Sequence, residues 1–340
     1  MELGLTSFAD VRQDPKTGET IGHGERLRNV VDEIVKAEEV GLDAYGLGEH
    51  HRIDMAASAP AITLAAAAAR TERIRLGSAV IVLSSADPVR TFQDFATLDL
   101  ISKGRAELMV GRGSFIESFP LFGYSLDDYN ELFVEKLELL LAIRDNEIVE
   151  WSGRFRAPIR GQGVYPRPFQ DPLPIQVGVG GTPASVVRAA TLGLPIVLAI
   201  IGGQPARFRA LVDLYRQTLV ENDYDPAEFP IAVHGHGYVA DDDDQAAEEV
   251  YPSYAAMMSK IGRERGWPPM TREQYDWMRG PDGSLVLGDP ETVAGKIMRW
   301  QEWLDIERFM LHNPAQLSHD RNLRSIELLG KEVSPLVRGS

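Results

Sequence analysis

The sequence predicts an α/β protein, a (β/α)8 TIM barrel with insertions forming one domain over residues 1–335. Three observations lead there. Apolar, β-branched runs alternate with helix-period segments eight times, the pattern of strands that pair in parallel through crossover helices. Pro opens and Gly closes several of the helical segments, at the positions these residues prefer. At 340 residues and 44% hydrophobic content the chain is long for one domain but ordinary for a barrel.

The elements follow in order. Leu3, Leu5 and Ser7 alternate with Gly4, Thr6 and Phe8, so residues 2–8 form a first strand running into a polar, turn-rich loop over 10–24. Leu27, Val30, Val31, Ile34 and Val35 recur at helical spacing, and Gly41 stops that helix. Residues 41–51, GLDAYGLGEHH, read as the second strand because two internal glycines weaken any helix, and the run breaks off into Glu49, His50 and His51. Pro60 opens an alanine-rich helix to Arg70, 74–83 is a continuous buried strand, Pro88 opens a helix to Lys103, and 106–111 is strand four. Residues 127–144 carry a helix with Leu132, Phe133, Leu137, Leu140 and Leu141 on one face.

Between 147 and 172 short Gly- and Pro-broken segments suggest a hairpin excursion and loop. Strands five, six and seven fall at 174–179, 195–201 and 231–239, with helices over 182–192 and 205–222 between them. The acidic run from Asp241 to Asp244 is read as capping the next helix, since consecutive Asp residues lack the alternating spacing of a calcium loop. Residues 262–288 show no clear period and are expected to be a long loop, a candidate mobile lid. A helix from Asp289-Pro290 to about 304, a strand over 308–312 and a segment over 317–333 close the barrel.

Composition narrows the function. With 50 acidic against 35 basic residues the net charge is −15, which repels nucleic acid and anionic membranes. No cysteine is present, so thiolate catalysis and Cys-ligated metal are excluded. No signal peptide or long apolar span is seen, and a cytoplasmic protein is expected.

Two stretches carry chemistry of their own. Gly178 to Thr182 is a glycine-rich strand-to-helix turn, with Thr182 as N-cap, Pro183 at the first helical position and Ser185 at the third. Free N–H groups and the helix dipole favour an anion there, near Gly180 and Gly181, and Arg112 from the neighbouring strand adds a planar charged fork. The second stretch is Glu49-His50-His51 at a strand end, which in a parallel barrel is the catalytic face. Adjacent residues of a strand point to opposite sides, so one imidazole is central, and Glu49 is read as orienting or charge-balancing His50. His234 and His236 share one face of strand seven. With Glu49 and His50 they would make a metal-dependent hydrolase site, although such barrels carry this pair on strand one, which here has no histidine.

Glu49-His50-His51, Asp87-Pro88-Val89-Arg90 with Leu98-Asp99, Ser102-Lys103-Gly104-Arg105 leading to Gly111-Arg112-Gly113, and Gly180-Gly181-Thr182 with Gly193-Leu194-Pro195 stand in register over roughly 1–235. Together they resemble the bacterial luciferase-like flavin monooxygenases. The resemblance implies reduced FMN as co-substrate with O2, a small organic substrate, and NAD(P)H acting through a separate flavin reductase. It implies a non-prolyl cis peptide at Ala79-Val80 backing the flavin ring, and the flavin phosphate on Gly180, Gly181, Thr182, Ser185 and Arg112. It also implies His50 as general base or hydrogen-bond partner at the reacting oxygen, and a homodimer. Gly111 stands where luciferases proper have cysteine, which argues against light emission. Relatives that transfer hydride with a deazaflavin and a non-catalytic flavin carrier are the alternatives.

Overall fold

A computed structural model describes residues 1–11, 18, 20–113, 115–314 and 317–339. The middle of the expected 10–24 loop lies outside these residues.

Eight strands close a parallel barrel: β1 Glu2–Ser7, β2 Ala44–Leu47, β3 Arg75–Ser78, β4 Ala106–Gly111, β5 Ile175–Val179, β6 Ile196–Ile200, β7 Ala232–Val239 and β8 Arg308–His312. Each pairs in parallel with its chain neighbour, and β8 returns to β1 with Thr6 opposite His312, so no barrel edge is left open. The expected continuous strand over 74–83 is corrected. It breaks at a cis peptide between Ala79 and Val80, and Ile81–Val82 resumes pairing with the end of β4.

Helices α1 His23–Glu39, α2 Pro60–Ala68, α3 Pro88–Ser102, α4 Tyr129–Asp145, α5 Pro183–Thr191 and α6 Arg209–Glu221 wrap the outside. Their starts follow the sequence. Asp87 accepts from the backbone N–H groups of Val89 and Arg90 ahead of Pro88, a side-chain N-cap followed by proline at the first helical position. The core joins the inner barrel layer to the apolar faces of these helices, with Leu3, Leu76, Phe92, Phe95, Leu137 and Trp300 fully buried.

Several of the family-like motifs are scaffold. Arg105 is buried, and its guanidinium donates to the carbonyl oxygens of Ala68, Thr71, Ile74 and Ser102, tying the end of α2 to the root of β4. Asp99 accepts from the backbone of Ala106 and from Gln170, anchoring the chain that returns from the excursion. That excursion is an antiparallel hairpin, Ile148–Trp151 with Ile159–Gly163, as the sequence suggested. The lower end of the barrel is closed by ion pairs of Arg308 with Glu2 at 2.6 Å and Glu107 at 2.6 Å.

The expectation of a long irregular loop over 262–288 is corrected. Helix α7, Asp243–Arg265, extends into it and is followed by α8, Arg272–Arg279, and a short strand, Val286–Gly288, beside β7. Tyr238, Tyr254, Met257, Tyr275, Met278 and Leu285 form a second apolar cluster beneath this insertion. Asp242 caps α7 through Gln245 N–H, as expected for the acidic run. Helix α9, Pro290–Leu304, and α10, His319–Leu328, complete the outer layer.

Candidate active site

A cavity of about 410 Å³ opens at the C-terminal ends of the strands, and all eight contribute to it. Phe8 follows β1, Glu49 to His51 follow β2, Ala79 to Val82 continue β3, and Gly111 to Gly113 end β4. Gly178 to Thr182 leave β5, Ala199 and Ile201 end β6, His234 and His236 lie on β7, and His312 ends β8.

The anion-seeking turn forms as the sequence required. Gly181 has φ +102°, a conformation that favours glycine, and Thr182 and Pro183 take the N-cap and first helical positions of α5. One detail is corrected: the Thr182 side chain makes no capping bond, because its carbonyl already accepts from Ser185 N–H at 3.0 Å in a tight first turn. Arg112 arrives from the end of β4, donating from Nη2 to Ser185 Oγ at 3.2 Å and from Nη1 to Asn130 Oδ1 at 2.9 Å, with its guanidinium over the Tyr129 ring. Arg188 of the same helix stands near enough that burial, helped by the Arg112 charge, lowers its pKa. Gly180, Thr182 and Arg112 line the cavity; Ser185 is reached through Arg112.

The cavity floor is the Ala79-Val80 peptide. A Cβ on Gly111 would lie 2.9 Å from Val80 Cγ2, and one on Gly178 2.8 Å from Val80 Cγ1, so two glycines let this corner press against β4 and β5. The sequence reading placed Ala79 and Val80 only through the family resemblance, since the local residues carry no signal for the bend.

The Glu49 assignment changes. Its Oε1 accepts from His51 Nε2 at 2.7 Å and its Oε2 accepts from Val82 N–H at 2.9 Å, so it orients His51 and the β3 continuation rather than His50. The reason is geometric: residues two apart in extended chain share a side, and residues one apart do not. His50 lies between Phe8 and Phe115, at ring separations of 4.5 and 5.3 Å.

A second imidazole group, from β7 and β8, faces the same space. His312 stands opposite Thr6 and His236 across the two ladders. The Thr6 carbonyl can only accept, so His312 Nδ1 donates to it at 3.1 Å. The Thr6 hydroxyl lies 3.2 Å from Nδ1 of both His234 and His312 and links the two rings. Full burial pushes the His234 pKa down to about 4, so it is neutral at pH 7. Among the described residues no group of three His, Asp or Glu side chains is placed to share a metal ion.

Phe8, Thr6, His312, Phe115, Tyr129 and Arg188 were not singled out from the sequence. Applying the strand-end rule to every strand would have found Phe8 and His312. The others reach the site by packing between distant segments.

The comparisons agree on the family. A family model described as luciferase-like monooxygenase matches residues 1–305. N-acetyl-S-alkylcysteine monooxygenase of Bacillus subtilis is 27% identical over 336 residues, 92% of this chain and 95% of that protein. F420-dependent glucose-6-phosphate dehydrogenase of Amycolatopsis mediterranei is 31% identical over 337 residues, again 92% and 95%. Among solved structures, monooxygenase RslO1 from Streptomyces bottropensis superposes with TM-score 0.85 at 23% identity, over 98% of this chain and 99% of that one. The oxygenating constituent of 3,6-diketocamphane monooxygenase from Pseudomonas putida, solved in complex with FMN, gives TM-score 0.77 at 21% identity, over 98% of both.

Proposed function

Because the chain belongs to the luciferase-like monooxygenase family, we propose that it is an FMN-dependent monooxygenase, taking reduced FMN and O2 to oxidise a small organic substrate, with NAD(P)H acting through a separate flavin reductase. One observation carries this reading: a single cavity is lined by a guanidinium that no carboxylate pairs with among the described residues, by a helix start, and by His50. FMN has the matching polarity, an anionic phosphate tail and a planar, largely apolar ring.

Arg112, Ser185, Thr182, Gly180 and Gly181 would hold the phosphate, the helix dipole adding to the charge. Ala79 and Val80 would back the ring, with Gly111 and Gly178 keeping the floor flat. Bound there in reduced form, the flavin supplies the electrons that activate O2.

The chain's own groups do the rest. His50 gives or takes a proton beside the ring, and Phe8 and Phe115 fix its orientation. His234 is neutral near pH 7, so its charge does not change there. Apolar walls from α7 and the segment after it exclude water. Segment 262–288, which ends α7 and includes Trp267 at the cavity wall, is the element that would open for substrate. Membership of this family favours an oxidoreductase over a metal-dependent hydrolase.

A second reading has its own support in the 31% identity to an F420-dependent dehydrogenase: hydride transfer with a deazaflavin and no O2. Titration of the purified chain with FMN and with F420, followed by O2 uptake with reductase and NADH, separates them. FMN binding with substrate-dependent O2 uptake supports the monooxygenase. Binding of F420 alone, with oxidation that continues without O2, decides for hydride transfer.

A further inference from the structure

We infer, building on the flavin-dependent reading above, that the molecule oxidised in this cavity is uncharged and mostly apolar. Much of the cavity lining is apolar, with Met55, Phe115, Met257, Met258, Ile261 and Trp267 among it. These side chains offer no ionic partner, and the methionines adapt to irregular apolar shapes.

Charge is committed elsewhere. Among the described residues lining the cavity, Arg112 is the one permanent cation, and it stands at the phosphate end on Asn130 and Ser185. At the rim on the methionine side, Arg52 is held by three carboxylates: Asp54 at 3.2 Å, Glu264 at 3.0 Å, and Glu117. Lys260 is spent on Asp54 at 2.6 Å. Two cations face three carboxylates there, so an entering anion meets a net negative rim and no free partner. A cation fares no better inside, since Glu49 is shared between His51 and Val82 N–H and Glu117 is taken by Arg52. A charged group brought into this wall is desolvated without compensation, whereas a neutral chain loses nothing comparable. The cavity lies toward the small end of ligand sites and must hold the flavin ring as well, so the substrate is small.

The test is equilibrium binding of an eight-carbon series, octan-2-one, octanoate and octylamine, to the full chain at pH 7.5. It is read by calorimetry with the protein loaded with FMN and, separately, with F420. The ketone is expected to bind at least about tenfold more tightly than either ion, whichever cofactor is present. Octanoate or octylamine binding as tightly as the ketone, or no binding of the ketone, overturns the inference. Failure to load FMN would instead sink the cofactor reading, and the series with F420 would still decide this one. Met258→Lys, with its melting temperature unchanged, is expected to gain octanoate affinity by about tenfold and lose the ketone by a similar factor; an unchanged preference in the folded variant contradicts the assignment of this wall.

Discussion

Arg112 Nη2 donates to Ser185 Oγ at 3.2 Å, joining the end of β4 to the first turn of α5. Both acceptors of this guanidinium, Ser185 Oγ and Asn130 Oδ1, are neutral, and among the described residues no carboxylate pairs with it. Its position is therefore fixed while its charge is left for a ligand. A helix start and a second guanidinium, Arg188, lie beside it, so the electrostatics of this corner favour an anion before any cofactor is considered.

His50 is expected to act in chemistry and not in cofactor binding. His50→Ala should change FMN affinity by less than about threefold and lower product formed per O2 consumed by roughly tenfold or more. Parallel binding and product-to-O2 measurements check this, and unchanged coupling would remove His50 from the reaction.

Glu49 is expected to be structural through its two bonds. Glu49→Ala leaves Val82 N–H buried without an acceptor and should destabilise the fold by about 1–3 kcal/mol. Glu49→Gln keeps one carbonyl oxygen and should lose less than half of that. Urea unfolding of the two variants distinguishes them, and equal losses would show that the Val82 bond is unimportant.

Gly178 and Gly180 differ although they are two residues apart. A Cβ at Gly178 would sit 2.8 Å from Val80 Cγ1, whereas one at Gly180 would meet nothing within 4 Å. Gly178→Ala should cost about 1–3 kcal/mol of stability. Gly180→Ala should leave the fold within about 0.5 kcal/mol of the parent. Thermal melts of both read this directly.

His234 gives a pH signature whose sign is fixed by burial. Its folded pKa is about 4, below the ordinary 6.5, so between these values the unfolded chain takes up a proton that the folded chain refuses. Above pH 6.5 the residue adds no slope. As pH falls from 6.5 to 4 it removes stability, up to roughly 3 kcal/mol, and below 4 the loss levels off. His234→Gln should flatten that part of the stability-versus-pH curve relative to the parent, measured by urea unfolding at several pH values.

The barrel was legible because its punctuation is local. Asp87-Pro88, Pro60 and Gly41 stand at helix ends that the structure confirms within a few residues. The turn at Gly180 to Ser185 was legible for the same reason. What the sequence concealed depends on segments far apart. The Thr6, His234 and His312 group draws on residues 228 and 306 positions apart, which no local pattern reports. Glu49 adjoins His50 in sequence, but the two-residue period of extended chain pairs it with His51. In 262–288 the sequence does carry a local signal, since Thr271 and Gln274 form a reciprocal capping box that starts α8. The bend after Ser78 has no local cause and rests on the space left by glycines of β4 and β5.

The most direct measurement is the affinity of the parent and Arg112→Ala for FMN and for riboflavin, by flavin fluorescence titration. The parent should prefer FMN, and the variant should lose FMN affinity by roughly ten- to a hundredfold while riboflavin changes little. Equal affinity of the parent for both flavins, or an equal loss of both in the variant, would contradict the placement of the phosphate between β4 and α5.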